Sequence, residues 1–488
     1  VYQRQDVAVL SCFKKPIVSE HRGPMRLRNR TLLAFLLSCA ALIPHTTHAD
    51  SAPPGGGPEG PFTGFGTPFP KKGEAIVRFK QAAFRKANAN LKQRFGNRTP
   101  SKNALWRELA TLIGMRISQP VSGSSFVVKG TSINSSRLRS GVLKGFVSRV
   151  EPNYKVNAFA EPSDFFYRLG LLWGLNNTGA NGSSKNVDVD AIEAWGMSQG
   201  SSDLVVAVID TGVSLNHPDL VDNIWRNPQE IPNNNLDDDK NGFIDDFFGY
   251  DFVNNAPSPN DQMFHGTHCA GIIAAKNNNN RGIAGVAPNV KIMPLRVLNA
   301  RGEGDVAGVM KAIRYAIDAR KRGVNLRVIN ASLGGGDRVA GFEELLREAN
   351  QVGIVFVAAA GNESNDNDTK PTYPANFESP NVISVAAIDK FGQLASFSNF
   401  GERSVDVAAP GVGIWSTFLF GFYLPFDGTS MAAPFVSGVA ALMLSERPNL
   451  TPAQVISIIK SSSKRISGLE GAMVSPGIVS AERALRSL

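Results

Sequence analysis

Cysteine is nearly missing from this chain. Its 488 residues contain three, Cys12, Cys39 and Cys269. The first two fall in segments expected to be removed, so the mature chain keeps one thiol and forms no internal disulfide. Stability must then come from a core, with bound metal as the remaining aid. Long apolar runs are also scarce. The run from Leu32 to Ile43 is too short to span a bilayer comfortably, so stable membrane insertion is not expected. There is no internal repeat, and no nucleic-acid motif accompanies the basic residues, which argues against a nucleic-acid partner. What is present is ordinary for a globular protein: 42% apolar residues and enough length for two or three domains with ample core. The net charge of +9 is unevenly spread, with an excess of basic residues before position 162 and of acidic residues after it. Two units of opposite sign, in contact, are expected.

Residues 1–24 carry no readable pattern and read as an extra, non-translated extension before Met25. Residues 25–49 read as a secretory signal peptide: basic Met25–Arg30, apolar Leu32–Ile43, and the cleavage site Thr47-His48-Ala49. The expected location is therefore extracellular or periplasmic. Lipoprotein processing at Cys39 is the competing reading, and Ala40 to Ile43, which prolong the apolar run past it, argue against it. Residues 50–72 are a Pro/Gly-rich linker. Residues 73–160 form a small mixed unit, with strand-like Glu74–Phe79, Ser125–Val128 and Phe146–Val150 and helical Ala82–Phe95 and Asn103–Ile113. Over residues 163–488, apolar β-rich runs (204–209, 291–297, 326–332, 353–360, 382–388) alternate with helical segments (265–275, 306–320, 341–351, 430–445, 451–460). Several runs lack period-2 alternation, as strands buried on both faces should. The predicted class is α/β, a parallel sheet flanked by helices and preceded by a small α+β domain.

Four stretches carry chemistry. Val206 to Gly212 puts Asp210 at the end of a buried strand, where open α/β sheets build their sites. Asp-Thr-Gly also serves aspartic proteases, which need two such carboxylates, and one is found here. His265-Gly266-Thr267-His268-Cys269 opens a helix. His265 is the better general base. A metal pair with His268 lacks the adjacent Glu of the known helical motif. Val357 to Asn362 ends a strand in an amide that could donate to an oxyanion. Gly428-Thr429-Ser430-Met431-Ala432-Ala433-Pro434 places Ser430 in the first turn of an apolar helix, beside unpaired N–H groups. Pro434 is read as lying in that first turn as well.

Together these motifs resemble the subtilase family of serine endopeptidases, over roughly 165–484. The resemblance implies a secreted, autoprocessed zymogen acting on protein and peptide substrates. Ser430 attacks, His265 is the base, Asp210 orients it, and Asn362 with the Ser430 N–H holds the oxyanion. Ser332, Leu333 and Gly334 pair with an extended substrate. Residues 73–160 are expected to be a propeptide that assists folding and inhibits the enzyme, and the mature form a monomer. A peptide-binding pseudoenzyme is the rival from another class. Calcium is the implied cofactor. Asp237, Asp239, Asn241 and Asp245 fall at positions 1, 3, 5 and 9 of a loop with Gly242 at 6 and Phe248 instead of Glu at 12. Asp219 and Asn279 resemble the family's common calcium site. Cys269 is expected to be an inert thiol beside His265.

Overall fold

A computed structural model describes residues 70–95, 101–113, 116–122, 124–129, 145–154 and 161–488. The extension 1–24, the signal peptide 25–49 with Cys12 and Cys39, and the linker as far as residue 69 lie outside the described residues.

The N-terminal module consists of β1 (Pro70–Phe79), α1 (Gln81–Phe95), α2 (Lys102–Ile113), β2 (Arg116–Ser122), β3 (Ser125–Lys129) and β4 (Val147–Tyr154). Its sheet runs β2-β3-β1-β4 with antiparallel pairings. Ala83, Ala87 and Leu91 recur at helical spacing and bury one face of α1. Phe126 packs edge-on against Phe79 and Trp106, with centroids 5.7 and 6.0 Å away. Pro120 interrupts β2 and hides it from a sequence reading. A strand with a proline is tolerated at an edge, and β2 is an edge strand.

The main unit is built on β5 (Val205–Asp210), β6 (Tyr250–Asp251), α3 (His265–Ala274), β7 (Lys291–Arg296), α4 (Val306–Lys321), β8 (Leu326–Ala331), α5 (Ala340–Gln351) and β9 (Val355–Ala359). It continues with β10 (Val382–Ile388), β11 (Val407–Pro410), β12 (Ile414–Thr417), β13 (Tyr423–Phe426), α6 (Thr429–Glu446), α7 (Pro452–Ser462), β14 (Lys464–Arg465) and β15 (Gly477–Ile478). Nine strands form one sheet in the order β14-β15-β11-β10-β9-β8-β5-β7-β6. All its pairings are parallel except β14–β15. The strands β5, β8, β9, β10 and β11 are buried along their whole length, which explains their unbroken apolar sequences. One core lies on each sheet face, and α6, buried from Met431 to Leu444, is part of the larger one. From β5 the chain goes to β6 and β7 on one side and then crosses to β8 on the other. That reversal opens a crevice at the carboxyl end of β5, where a site belongs.

Pro434 stands one turn deeper than expected, because α6 begins at Thr429. A proline here withholds the N–H that would bond to the Ser430 carbonyl. Two side chains replace it: Ser332 Oγ donates to that carbonyl at 2.9 Å and Cys269 Sγ at 3.4 Å. The hairpin β12–β13 is also new: each strand is only four residues long, and Pro425 interrupts the second, so neither stands out in the sequence.

Candidate active site

Asp210 ends β5 and is fully buried. Thr211 N–H donates to its Oδ1 at 2.7 Å. His265 opens α3, and its Nδ1 lies 2.8 and 2.9 Å from the two Asp210 oxygens. This approach depends on Gly266. A Cβ there would sit 2.1 Å from the Gly212 carbonyl oxygen and 2.9 Å from Asp210 Cβ, so any larger residue would push α3 off the strand end. Asp261 sets the start of the helix. Its carboxylate accepts from the N–H groups of Met263, Phe264 and Thr267 and from the Thr267 hydroxyl.

Burial alone would lower the pKa of His265, but the charge and hydrogen bond of Asp210 outweigh it and raise the pKa above 6.5. With Nδ1 engaged, Nε2 is the nitrogen available to the cleft, and the side chain is 21% exposed. His268 faces elsewhere. Its Nε2 lies 3.0 Å from the Leu424 carbonyl and its ring packs edge-on to Phe426. Burial drops its pKa to about 3. The two histidines therefore do not converge on one point. Cys269 is fully buried, and burial and the Asp210 charge push its thiol pKa well up, as an inert thiol requires.

Ser430 lies in the first turn of α6. Its Oγ donates to the Ser332 carbonyl at 3.3 Å rather than to His265. Cys269 links the two helices: its Sγ touches the Ser430 carbonyl and lies within 4.8 Å of ligand atoms of Asp210 and His265. The first turn of α6 thus sits beside the imidazole. Asn362 follows β9. Its Oδ1 accepts from Thr429 N–H at 2.8 Å and Thr429 Oγ1 at 2.9 Å, which leaves its NH₂ group unengaged next to the Ser430 turn. Ser332, Leu333 and Gly334 run out from the end of β8, and the Leu333 and Gly334 peptide groups have no backbone partner among the described residues. They line a cleft of about 720 Å³ together with His265, Thr211 and Tyr373. An extended peptide could pair with this free edge.

The acidic loop is ordered by its own hydrogen bonds. Gly242, with φ +93°, makes the turn. Asp237 accepts from the N–H groups of Asn241 and Gly242, and Asp239 from that of Asn241. Asn241 instead turns its amide toward Asp246. Asp245 is also turned aside, since its carboxylate accepts from the N–H groups of Asn234 and Asn235. Glu230 joins Asp237 and Asp239, their ligand atoms lying within 4.8 Å of one another. One Glu230 oxygen accepts from Asp238 and Asp239 N–H, while the other is buried without a partner. No spacing in the sequence signals Glu230, because the turn that brings it back is not periodic.

At the second predicted position, Asp219 Oδ1 accepts from the Asn279 amide at 2.6 Å and Oδ2 from Ile283 N–H at 2.9 Å. Asp164, unsignalled in the sequence, holds the same loop through Asn278 N–H. Its pKa is raised to about 6 by burial, with the Asp219 charge adding to the rise.

Comparison with known proteins follows the same lines. The subtilase family model matches residues 201–475. A thermophilic serine proteinase from Bacillus sp. (strain AK1) is 37% identical over 400 residues, covering 81% of this chain and 83% of the relative. Thermitase from Thermoactinomyces vulgaris is 38% identical, covering 61% of this chain and 94% of that protein. Among solved structures, a protease from Pseudoalteromonas arctica superposes with a TM-score of 0.56 at 29% identity, covering 67% of this chain and 99% of that one.

Proposed function

The chain belongs to the subtilase family, and from that premise we propose that it is made as a secreted zymogen and cleaves peptide bonds through Ser430, His265 and Asp210. It is a subtilisin-like serine endopeptidase. The observation that carries the residue assignment is the pairing of His265 Nδ1 with both oxygens of buried Asp210. That pairing fixes the tautomer that leaves a lone pair on Nε2.

Rotation about the Ser430 Cα–Cβ bond turns the hydroxyl from the Ser332 carbonyl to that lone pair. Oγ then bonds to the substrate carbonyl carbon as its proton passes to Nε2. The resulting oxyanion is held by the Ser430 N–H and the free NH₂ of Asn362, both preorganised. As the tetrahedral species collapses, the C–N bond breaks and His265 returns the proton to the leaving amine. Water repeats the cycle on the acyl-enzyme, losing its proton to His265 and expelling Ser430 Oγ. Asp210 keeps its charge throughout and stabilises the imidazolium. The peptidomimetic edge at Leu333–Gly334 positions the substrate.

The N-terminal module is the proposed inhibitor and folding aid. It precedes the peptidase unit and belongs to the more basic part of the chain, as a partner for an acidic enzyme should. The likeness to the Bacillus proteinase covers four-fifths of this chain, more than residues 163–488 could supply, and so reaches into this module. Intact-mass measurement of the protein expressed from Met25, wild type beside Ser430→Ala, tests the whole reading. The wild type is expected to lose everything up to a cut between Tyr154 and Phe166, while the variant keeps it. Identical trimming of both would remove autoprocessing, and two folded, full-length products would favour a pseudoenzyme.

Calcium is the proposed structural cofactor. The orphaned oxygen of Glu230 beside Asp237 and Asp239 is the donor set a hard cation fits. Asp164 and Asp219 offer a second pair of carboxylates, whereas Asn279 presents its NH₂ group rather than its oxygen to Asp219 and so does not complete that set. Bound calcium would supply positive charge between carboxylates that otherwise repel, and so tie surface loops to the core. In the inactive Ser430→Ala background, calcium at a hundredfold excess over its Kd should stabilise the fold by about 2.7 kcal/mol. Thermal melts read this as a raised midpoint that a chelator reverses. Glu230→Gln should lose part of the rise, and an equal rise in both proteins would remove Glu230 from the site.

A further inference from the structure

The hairpin β12–β13 carries a feature that the cleavage chemistry does not use. At its tip, Phe420 is 83% exposed, the most exposed large apolar side chain among the described residues. Its φ of 61° lies in the left-handed region, which a bulky residue rarely occupies. Strain and exposure coincide at a tip that is otherwise firmly held. Phe418 and Phe426 pack on Phe264, the residue before His265, with centroids 5.1 and 4.8 Å away. Thr417 and Ser416 hydroxyls donate to the Thr267 and His268 carbonyls of α3. His217 Nε2 lies 3.2 Å from the Phe422 carbonyl. The hairpin is therefore bolted to the helix that bears His265, and its second strand runs directly into Ser430.

A groove of about 540 Å³ lies between this tip and the loop after β5. Leu419, Phe420 and Pro218 give it apolar walls, and Asn216 and Asn260 stand at its rim. The side-chain oxygen of each Asn already accepts a hydrogen bond, from Ser214 and Leu215 respectively, so each has its NH₂ group to offer. The groove and the larger cleft share two stretches of chain. Thr211, Met263 and His265 line the cleft, whereas Ser214, Asn260 and Asp261, a few residues away, line the groove. The two cavities thus flank the same segments, and His265 lines the cleft.

We propose that this groove binds the leaving-group half of the substrate, with Phe420 as its specificity-determining residue. The proposal rests on the serine endopeptidase reading. A polypeptide that pairs with Leu333–Gly334 on one side of Ser430 must leave the site on the other side, along the hairpin. Four residues of β13 span about 13 Å, the length of three or four extended substrate residues. Phe420 therefore meets a side chain two to four positions beyond the scissile bond and selects a bulky apolar one. The Asn216 and Asn260 amides donate to the carbonyls of that stretch.

Two substrates with one acyl-side sequence separate this subsite from the chemistry. One ends in p-nitroanilide, and the other is an internally quenched peptide that continues four residues past the cut. The ratio of their kcat/KM values, peptide over nitroanilide, should fall about tenfold in Phe420→Ala and in Phe420→Gly, the expected cost of losing one buried apolar contact. The change should lie mainly in KM. The wild-type preference for Leu over Gly at the second to fourth positions should disappear in both variants. Phe420→Gly also relieves the left-handed backbone, so agreement between the variants assigns the effect to the ring. An unchanged ratio with the Leu preference intact overturns the subsite. Nitroanilide cleavage by the wild type tests the endopeptidase reading separately.

Discussion

Replacing Asp210 by Asn should lower kcat/KM by a factor on the order of 10⁴ with little change in fold. The side chains are nearly the same size, and the position is fully buried. The loss arises from direction and charge. Asp210 offers two acceptors to His265 Nδ1, at 2.8 and 2.9 Å. An Asn presents an NH₂ on one branch, which favours the imidazole that accepts at Nδ1 and carries its proton on Nε2. That tautomer has no lone pair to receive the Ser430 proton. The pH profile supplies a second readout. In the wild type, kcat/KM should fall as pH drops through the His265 pKa, which the Asp210 charge holds above 6.5. Without that charge, burial is opposed only by the charge of Asp261, and the acid limb of the residual activity should move to lower pH. Steady-state kinetics from pH 5 to 9 would show both effects. A variant that lost activity but kept the wild-type acid limb would mean that Asp210 does not set the pKa of His265.

Residues whose neighbours lie close in sequence were legible in advance. Asp210 sits at the end of a continuous apolar run, His265 and Ser430 open helices, and Asn362 follows a strand. Each is thus marked by the element it terminates. Parallel strands buried on both faces leave the same kind of mark, so the sheet could be read as well. The acidic loop was harder. Counting positions from Asp237 treats the chain as evenly curved, but Lys240 and Asp245 both take left-handed backbone, with φ of 56° and 54°. Those bends turn Asp245 toward Asn234 and Asn235 and leave the place beside Asp237 and Asp239 to Glu230. Pro434 shows a similar limit. A proline six residues into a helix appears misplaced until Ser332, about a hundred residues earlier, supplies the missing donor. Tertiary substitution of this kind leaves no local pattern to read.

His268 should make the fold acid-sensitive. It is buried, its Nε2 faces the Leu424 carbonyl, and its Nδ1 has no partner. Its pKa falls to about 3 in the folded protein, against about 6.5 when the chain unfolds. Below 6.5 the unfolded chain binds a proton that the native state refuses, so stability declines as pH falls toward 3 and is fully present above 6.5. The depression is worth on the order of 5 kcal/mol across that window. Several buried carboxylates act in the opposite direction. Asp164, Asp188, Asp246 and Asp261 all have raised pKa values, so their protonation favours the folded state in the same pH range. The wild-type curve alone is therefore a sum, and the contribution of His268 must be taken by difference. His268→Gln keeps an N–H that can reach the Leu424 carbonyl and cannot take up the proton. In the Ser430→Ala background, which prevents self-digestion, denaturant midpoints of the two proteins should diverge steadily from pH 6.5 down to 3. The Gln protein should become the relatively more stable one. Parallel curves over that range would mean that His268 protonates inside the fold, against the burial that holds its pKa down.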